Sequence, residues 1–238
     1  MVGVAGKRTI ETHRITQNRL LICIALIVQL SYPLFGFDEW DTLTGEFWVE
    51  LDPAIKEDQS YPLTSQEAAE ILLDEARFVF SGMIYGFEFE YTPYDQTRGV
   101  EEIFNLDPIA EIPWGDPALT VVQMRVSNNR RFALIRYAPK DHQIRWLQAW
   151  ESNINPKATG LGKADLFKGV DEKRNAFREA IKEAVRGYLR QRILNKPKEI
   201  RGELVLADVP YVIIDAGTYL AKTEVRLRID EVIPYRQY

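Results

Sequence analysis

Cysteine is almost missing from this 238-residue chain, and the single one, Cys23, lies near the amino terminus. The body beyond it can form no disulfide, hold no thiolate metal site and use no cysteine nucleophile. Histidine is nearly as scarce. His13 belongs to the amino-terminal segment, so His142 would have to serve any Ser-His-Asp or zinc arrangement, and no Gly-x-Ser-x-Gly elbow accompanies it. Asp141-His142 reads more simply as a polar turn. These scarcities leave no catalytic residue, metal ligand or cofactor to name, and the expectation is a protein that is not an enzyme. An excess of basic charge is absent too. The formal charge is −5, and four of the thirty basic residues (Lys7, Arg8, Arg14, Arg19) precede residue 36 with only Glu11 opposing them, which leaves 26 basic against 34 acidic side chains in the body. Such a body is not built for wholesale nucleic-acid contact.

What is present begins with one apolar run. Leu20 to Val28 is nearly pure Leu, Ile, Ala and Val, and is followed by Gln29, Ser31, Tyr32 and Pro33 before Leu34 to Phe37. A basic flank, a short apolar core and a helix-breaking polar segment are the layout of an export signal. Leu20 to Phe37 is also 18 residues long, the lower end of what spans a bilayer, so an uncleaved anchor touching the membrane through residues 20–37 is the alternative. Cleavage is favoured, because Pro33 and Gln29 interrupt the run. Either way the bases before it and Asp38, Glu39, Asp41 and Glu46 after it orient the body outward, toward a periplasmic or other extracytoplasmic site. Cys23 is embedded within the run, with apolar sequence on both sides, which is the wrong place for a lipid-modified cysteine.

With 46% hydrophobic and 27% charged residues, the rest has a globular composition. It reads as an α+β fold: mostly antiparallel sheet with two amphipathic helices on one face, in two passes of similar layout. Residues 1–36 are then the signal or anchor, 37–152 the first half and 153–238 the second, the two halves together forming one domain or two. In the first, Gly45 to Leu51 alternates as a strand, and Thr64 stands three residues before Glu67 as a capping box. Ala68, Ala69, Leu72, Leu73, Ala76, Val79 and Phe80 follow on one helical face, with Gly82 as the expected stop. Tyr85, Phe87, Phe89 and Tyr91 alternate with Gly86, Glu88 and Glu90, giving a strand with one aromatic face. An irregular stretch follows, containing Pro93, Pro108, Pro113 and Pro117. Leu119–Val126 and Arg131–Ala138 flank Ser-Asn-Asn-Arg as a hairpin, since asparagine tolerates the positive φ of tight turns. His142 to Glu151 is expected as a third strand, with Ile144, Trp146, Gln148 and Trp150 on one face.

The second pass starts near Asn155. "TGLGKAD" at 159–165 suggests a phosphate loop, but Lys157 stands where the first glycine is needed and Ala164 where Ser or Thr is needed. The dinucleotide version fails at Asp165. The stretch is expected to be a flexible linker into a helix that begins at Asp171 and carries Phe177, Ala180, Ile181, Ala184, Val185, Tyr188 and Leu189 on its apolar stripe. Glu199–Ala207 and Val209–Ile214 are strand candidates, and Thr223, Val225, Leu227 and Ile229 alternate with charged residues as a half-exposed strand.

Carboxylate pairs such as Glu88 and Glu90, or Glu101 and Glu102, could serve glycan hydrolysis. Glu88 and Glu90 oppose an aromatic face, however, and a solvated role suits them better. The aromatics themselves, Tyr85, Phe87, Phe89, Tyr91, Trp146 and Trp150, are the candidate ligand-binding set, for a sugar or a lipid.

From 155 to 232 the second pass resembles bacterial envelope modules in which a strand and a Gly-x-Gly segment lead into an Ala-rich helix and a sheet, as in outer-membrane lipoproteins and flagellar ring accessory proteins. The residues that carry the likeness are Gly160, Gly162, Ala176, Ala180 and Ala184. The resemblance implies assembly rather than catalysis. The expected function is therefore a non-catalytic binding or scaffold role in the bacterial cell envelope, with an envelope partner or self-association. Periplasmic binding of a sugar or lipid is the alternative and glycan hydrolysis the third reading.

Overall fold

The computed structural model describes residues 42–56, 61–193 and 195–235. The apolar run, Cys23 and the acidic residues Asp38, Glu39 and Asp41 lie outside them. Nine strands and three helices follow in the order β1 (Leu43–Glu50), α1 (Ser65–Ile84), β2 (Phe87–Thr92), β3 (Ile103–Pro108), β4 (Leu119–Ser127), β5 (Arg130–Tyr137), α2 (Asp141–Trp150), β6 (Lys157–Asp165), α3 (Glu172–Arg190), β7 (Glu199–Leu206), β8 (Tyr211–Asp215) and β9 (Thr218–Ile233). The fold is α+β, and every strand pairing is antiparallel.

The strands form two sheets. The smaller runs β1-β5-β4, and the larger runs β3-β2-β7-β9-β6 with β8 added beside the first half of β9. Strand–helix–strand order recurs in both passes, but the first is divided: β1 joins β4 and β5, whereas β2 pairs with β7. Both passes fall in a single compact unit from Glu39 to Tyr238.

Local chemistry accounts for most boundaries. At the start of α1 the Thr64 hydroxyl accepts from the Glu67 amide at 3.2 Å while Glu67 accepts from the Thr64 amide at 2.7 Å, the reciprocal cap expected from the sequence. Glu67 titrates below its usual range because both Thr64 groups hydrogen-bond to it. The helix does not stop at Gly82. That glycine is buried, and a Cβ there would come within 2.5 Å of the Phe87 ring, so it marks the contact of α1 with β2; the helix ends before Gly86, whose φ is +79°. Asn128 and Asn129, at φ 51° and 61°, make the two-residue turn between β4 and β5.

Three expectations change. Asp141–Trp150 is a helix, because the buried residues Gln143, Leu147 and Trp150 repeat at helical spacing and outweigh the period-two reading of Ile144, Trp146, Gln148 and Trp150. Ile103–Pro108 is a strand within the proline-rich stretch, where Phe104 and Leu106 alternate with Asn105 and Asp107 over too few residues to stand out among the prolines. The supposed linker is strand β6, and its glycines explain why. A Cβ on Gly160 would lie 2.0 Å from the Ala180 carbonyl oxygen, and one on Gly162 2.1 Å from that of Ala176. The α3 backbone therefore rests directly on β6, and Ala176, Ala180 and Ala184, all buried, are the small side chains that permit it. The five residues of the Gly-x-Gly and alanine pattern form one contact, with no loop for a phosphate.

Helices α1 and α3 lie side by side on one face of the larger sheet, where Phe78 meets Phe87 at 5.4 Å and Phe177 at 6.1 Å. The other side of α1 takes the smaller sheet, with Phe80 against Phe47 and Tyr137. Helix α2 reaches from Tyr85 at the end of α1 to Arg226 and Arg228 of β9.

Candidate functional site

The candidate aromatic set divides on burial. Phe87, Phe89 and Tyr91 are core residues, exposed by 1%, 1% and 4%. They face the helices and offer no surface to a ligand. Tyr91 is further held by its hydroxyl's 2.7 Å hydrogen bond to Glu102, and burial together with that carboxylate raises its phenol well above the usual range. Tyr85 caps α1, its hydroxyl accepting from Gln143 at 2.8 Å and its ring meeting Trp146 edge-on. Trp150 is buried under Arg228, while Trp146 is half exposed; with His142, Arg145, Asn155 and Glu203 they line a shallow cavity of ≈ 570 Å³. Glu88 and Glu90 stand on the outer face of β2, Glu90 facing Arg201 at 3.3 Å, away from either cavity.

A larger cavity, of ≈ 780 Å³, lies along β1 and was not foreseen. Its walls come from the residues of β1, the flank of α1 carrying Glu70, Asp74, Glu75 and Phe78, the start of α3, and the segment from Pro210 to Ile213. The reason for the opening is backbone geometry. The Leu51 amide donates to the Asn129 carbonyl at 2.8 Å, which sets the phase of the β1–β5 ladder. Leu43, Gly45, Phe47 and Val49 bond to β5, so Thr44, Glu46, Trp48 and Glu50 turn their N–H and C=O groups away from it, toward the cavity. Strand β8 presents its own outer edge from the opposite wall. Neither edge has a strand neighbour among the described residues.

Side chains bridge the gap. The Trp48 indole N–H donates to the Val212 carbonyl at 2.9 Å, and the Lys173 ammonium donates to the Trp48 carbonyl at 2.6 Å. Trp48 is thus held on all sides: Tyr219 stacks on it at 6.4 Å, and Lys173 and Arg130 lie over its ring at 4.4 and 4.7 Å. Lys173 also pairs with Glu75 at 2.7 Å, and the Tyr219 hydroxyl donates to Glu50 at 2.8 Å. Burial first, and then the Glu50 carboxylate, push the Tyr219 phenol well above its ordinary range. At the mouth, Trp114 and Tyr211 are 61% and 66% exposed.

The wall therefore combines hydrogen-bond donors (Lys173, Arg130, Arg174), acceptors (Glu46, Glu50, Glu70, Asp74, Glu75, Asp171) and aromatic planes. Among the described residues no three His, Asp or Glu groups are placed to hold a metal, and no helix is long and apolar enough to cross a membrane. One signal for this site was legible. In Glu46-Phe-Trp48-Val-Glu50 the tryptophan sits on the charged face of the strand, where burial of the alternate face gives no reason for it. Lys173, Tyr219 and Val212 carried no comparable signal, since only the tertiary fold brings them to β1.

No solved structure matches this chain. A protein of Treponema pallidum (strain Nichols), described as uncharacterized, is 26% identical over 212 residues, covering 89% of this chain and 84% of its own. A family model matches residues 36–235, and the chain belongs to that family of uncharacterised proteins.

Proposed function

We propose that this is a non-catalytic binding protein exported to the bacterial cell envelope, and that the cavity along β1 takes a saccharide. The observation that carries the reading is the composition of the cavity lining, which mixes three cations, six carboxylates and the rings of Trp48, Trp114, Tyr211 and Tyr219. The charges are largely paired already, Glu75 with Lys173, Asp74 with Arg77 and Arg174, and Glu46 with Arg125, so the lining has little unbalanced charge of either sign to draw a simple anion or a simple cation. A sugar ring offers hydroxyls that both donate and accept, and C–H faces that lie on aromatic planes. The volume is that of a small-ligand site, typically about 300–1,000 Å³. Glycan cleavage is the weaker reading of the same lining, because Glu50 is committed to Tyr219 and Glu75 to Lys173.

Export rests on the basic flank and the apolar run from Leu20, which precede the family match apart from its first residues at 36 and 37. The relative's bacterial source agrees with it. The ligand reading is tested by isothermal titration of a panel of soluble trisaccharides built from glucose, mannose and N-acetylglucosamine. Saturable binding that Trp114→Ala and Tyr211→Ala together weaken at least tenfold supports it. Binding to none of the panel, or binding that both replacements leave unchanged, contradicts it.

A further inference from the structure

Among the described residues five outer strand edges bound the two sheets, and four of them are defended. Strand β1 has the Lys173 ammonium on its Trp48 carbonyl, β8 has the Trp48 indole N–H on its Val212 carbonyl, β3 ends in Asp107 and Pro108, and β6 carries Lys157, Lys163 and Asp165. Strand β4 differs. Past the irregularity between Val121 and Gln123, residues 123–127 run straight, and their single charge, Arg125, is neutralised by a two-pronged contact with Glu46 at 2.9 and 3.0 Å and lies over the Phe132 ring. Met124 and Val126 are 41% and 57% exposed. Because the two-residue turn at Asn128-Asn129 makes Ser127 and Arg130 a hydrogen-bonded pair, Met124 and Val126 point their N–H and C=O groups outward.

We propose that β4 pairs antiparallel with β4 of a second copy of this chain, about a two-fold axis at Arg125. The segment is self-complementary in that register. Met124 lies opposite Val126 of the second copy, twice, which makes four backbone hydrogen bonds and joins four exposed apolar side chains on one face. The two Arg125 side chains are on the other face, each held by its own Glu46. An acidic partner strand would find that cation already taken, and a charged one would bury its charges against Met124 and Val126. The result is a six-stranded sheet, β1-β5-β4 continued by β4-β5-β1 of the second copy, with the cavity of each copy open at an outer end. The inference is independent of what the cavity binds.

Disulfide trapping in the full-length chain tests it. In a Cys23→Ser background, Arg125→Cys places two thiols across the axis at a Cα separation of about 4.5 Å, within disulfide range. Ser127→Cys places them about 13 Å apart, beyond it. Mild oxidation is expected to give at least ten times more covalent dimer from the first than from the second, and adding Met124→Lys to the first should remove that excess. Equal trapping at both positions, no trapping at 125, or trapping that Met124→Lys leaves unchanged would overturn the proposal.

Discussion

The contact of α3 with β6 and the gap beside β1 are two solutions to the same problem, how to cover a strand in a small α+β body. At β6 the covering helix comes so close that Gly160 and Gly162 have no room for a Cβ. At β1 the strand edge is left without a strand against it among the described residues, and Lys173, Trp48 and Tyr219 span the space instead. Close contact needs small residues and tolerates no change of volume. A polar and aromatic gap tolerates change of volume and is specific about hydrogen bonds, which is the property a binding site requires.

The difference is most easily broken at the close contact. Gly160→Ala is expected to destabilise the fold by about 3 kcal/mol, since the added methyl meets the α3 backbone at the Ala180 oxygen and the Ala184 nitrogen and no rotamer relieves it. Urea unfolding measures this. Next in size is the half-buried pair of Lys173 with Glu75, whose side chains are 16% and 29% exposed. Lys173→Ala strands the Trp48 carbonyl and the Glu75 carboxylate together, at a cost of about 1–3 kcal/mol. Gly187→Ala gives the opposite sign on the same helix as the close contact: nothing lies within 4 Å of its Cβ position, and a stabilisation of about 0.5–1 kcal/mol is expected.

Two buried tyrosines shape the alkaline limb of stability. Tyr91 and Tyr219 both have phenols raised above the ordinary value of about 10, each through burial and a carboxylate. A group that holds its proton more tightly when folded contributes stability that is complete below pH of about 10 and is lost as the pH climbs toward the folded value. Tyr219→Phe and Tyr91→Phe should each flatten that loss in unfolding curves recorded above pH 10; an unchanged slope in both would refute the assignment. The smallest stability effect is expected at the cavity wall. Ile71→Trp, at a residue 40% exposed on α1, should change stability by no more than about 0.5 kcal/mol while obstructing the cavity.

The same contrast explains what could be read in advance. Capping at Thr64, the asparagine turn at 128–129 and the alternation of Thr223, Val225, Leu227 and Ile229 are local, and each stands where the sequence puts it. Glycine in β6 misled, because a glycine that admits a helix and a glycine that loosens a loop are the same letter. The aromatic alternation of Phe87, Phe89 and Tyr91 identified a strand correctly and a ligand surface wrongly, since period two tells which residues share a face and says nothing of what covers it. Trp48 was distinguishable by its place on a charged face; its partners 125 and 171 residues away were not.

A saccharide in the cavity beside β1 would lie against the indole of Trp48. Two-dimensional NMR of the tryptophan indole N–H groups during titration with the trisaccharide panel tests it most directly, because Trp48 lies inside the cavity, Trp114 at its mouth, and Trp146 and Trp150 in the other one. Saturable shifts of Trp48 and Trp114 are expected, with Trp146 and Trp150 unmoved. Shifts confined to Trp146 and Trp150, or none with any sugar, would contradict a saccharide site in that cavity.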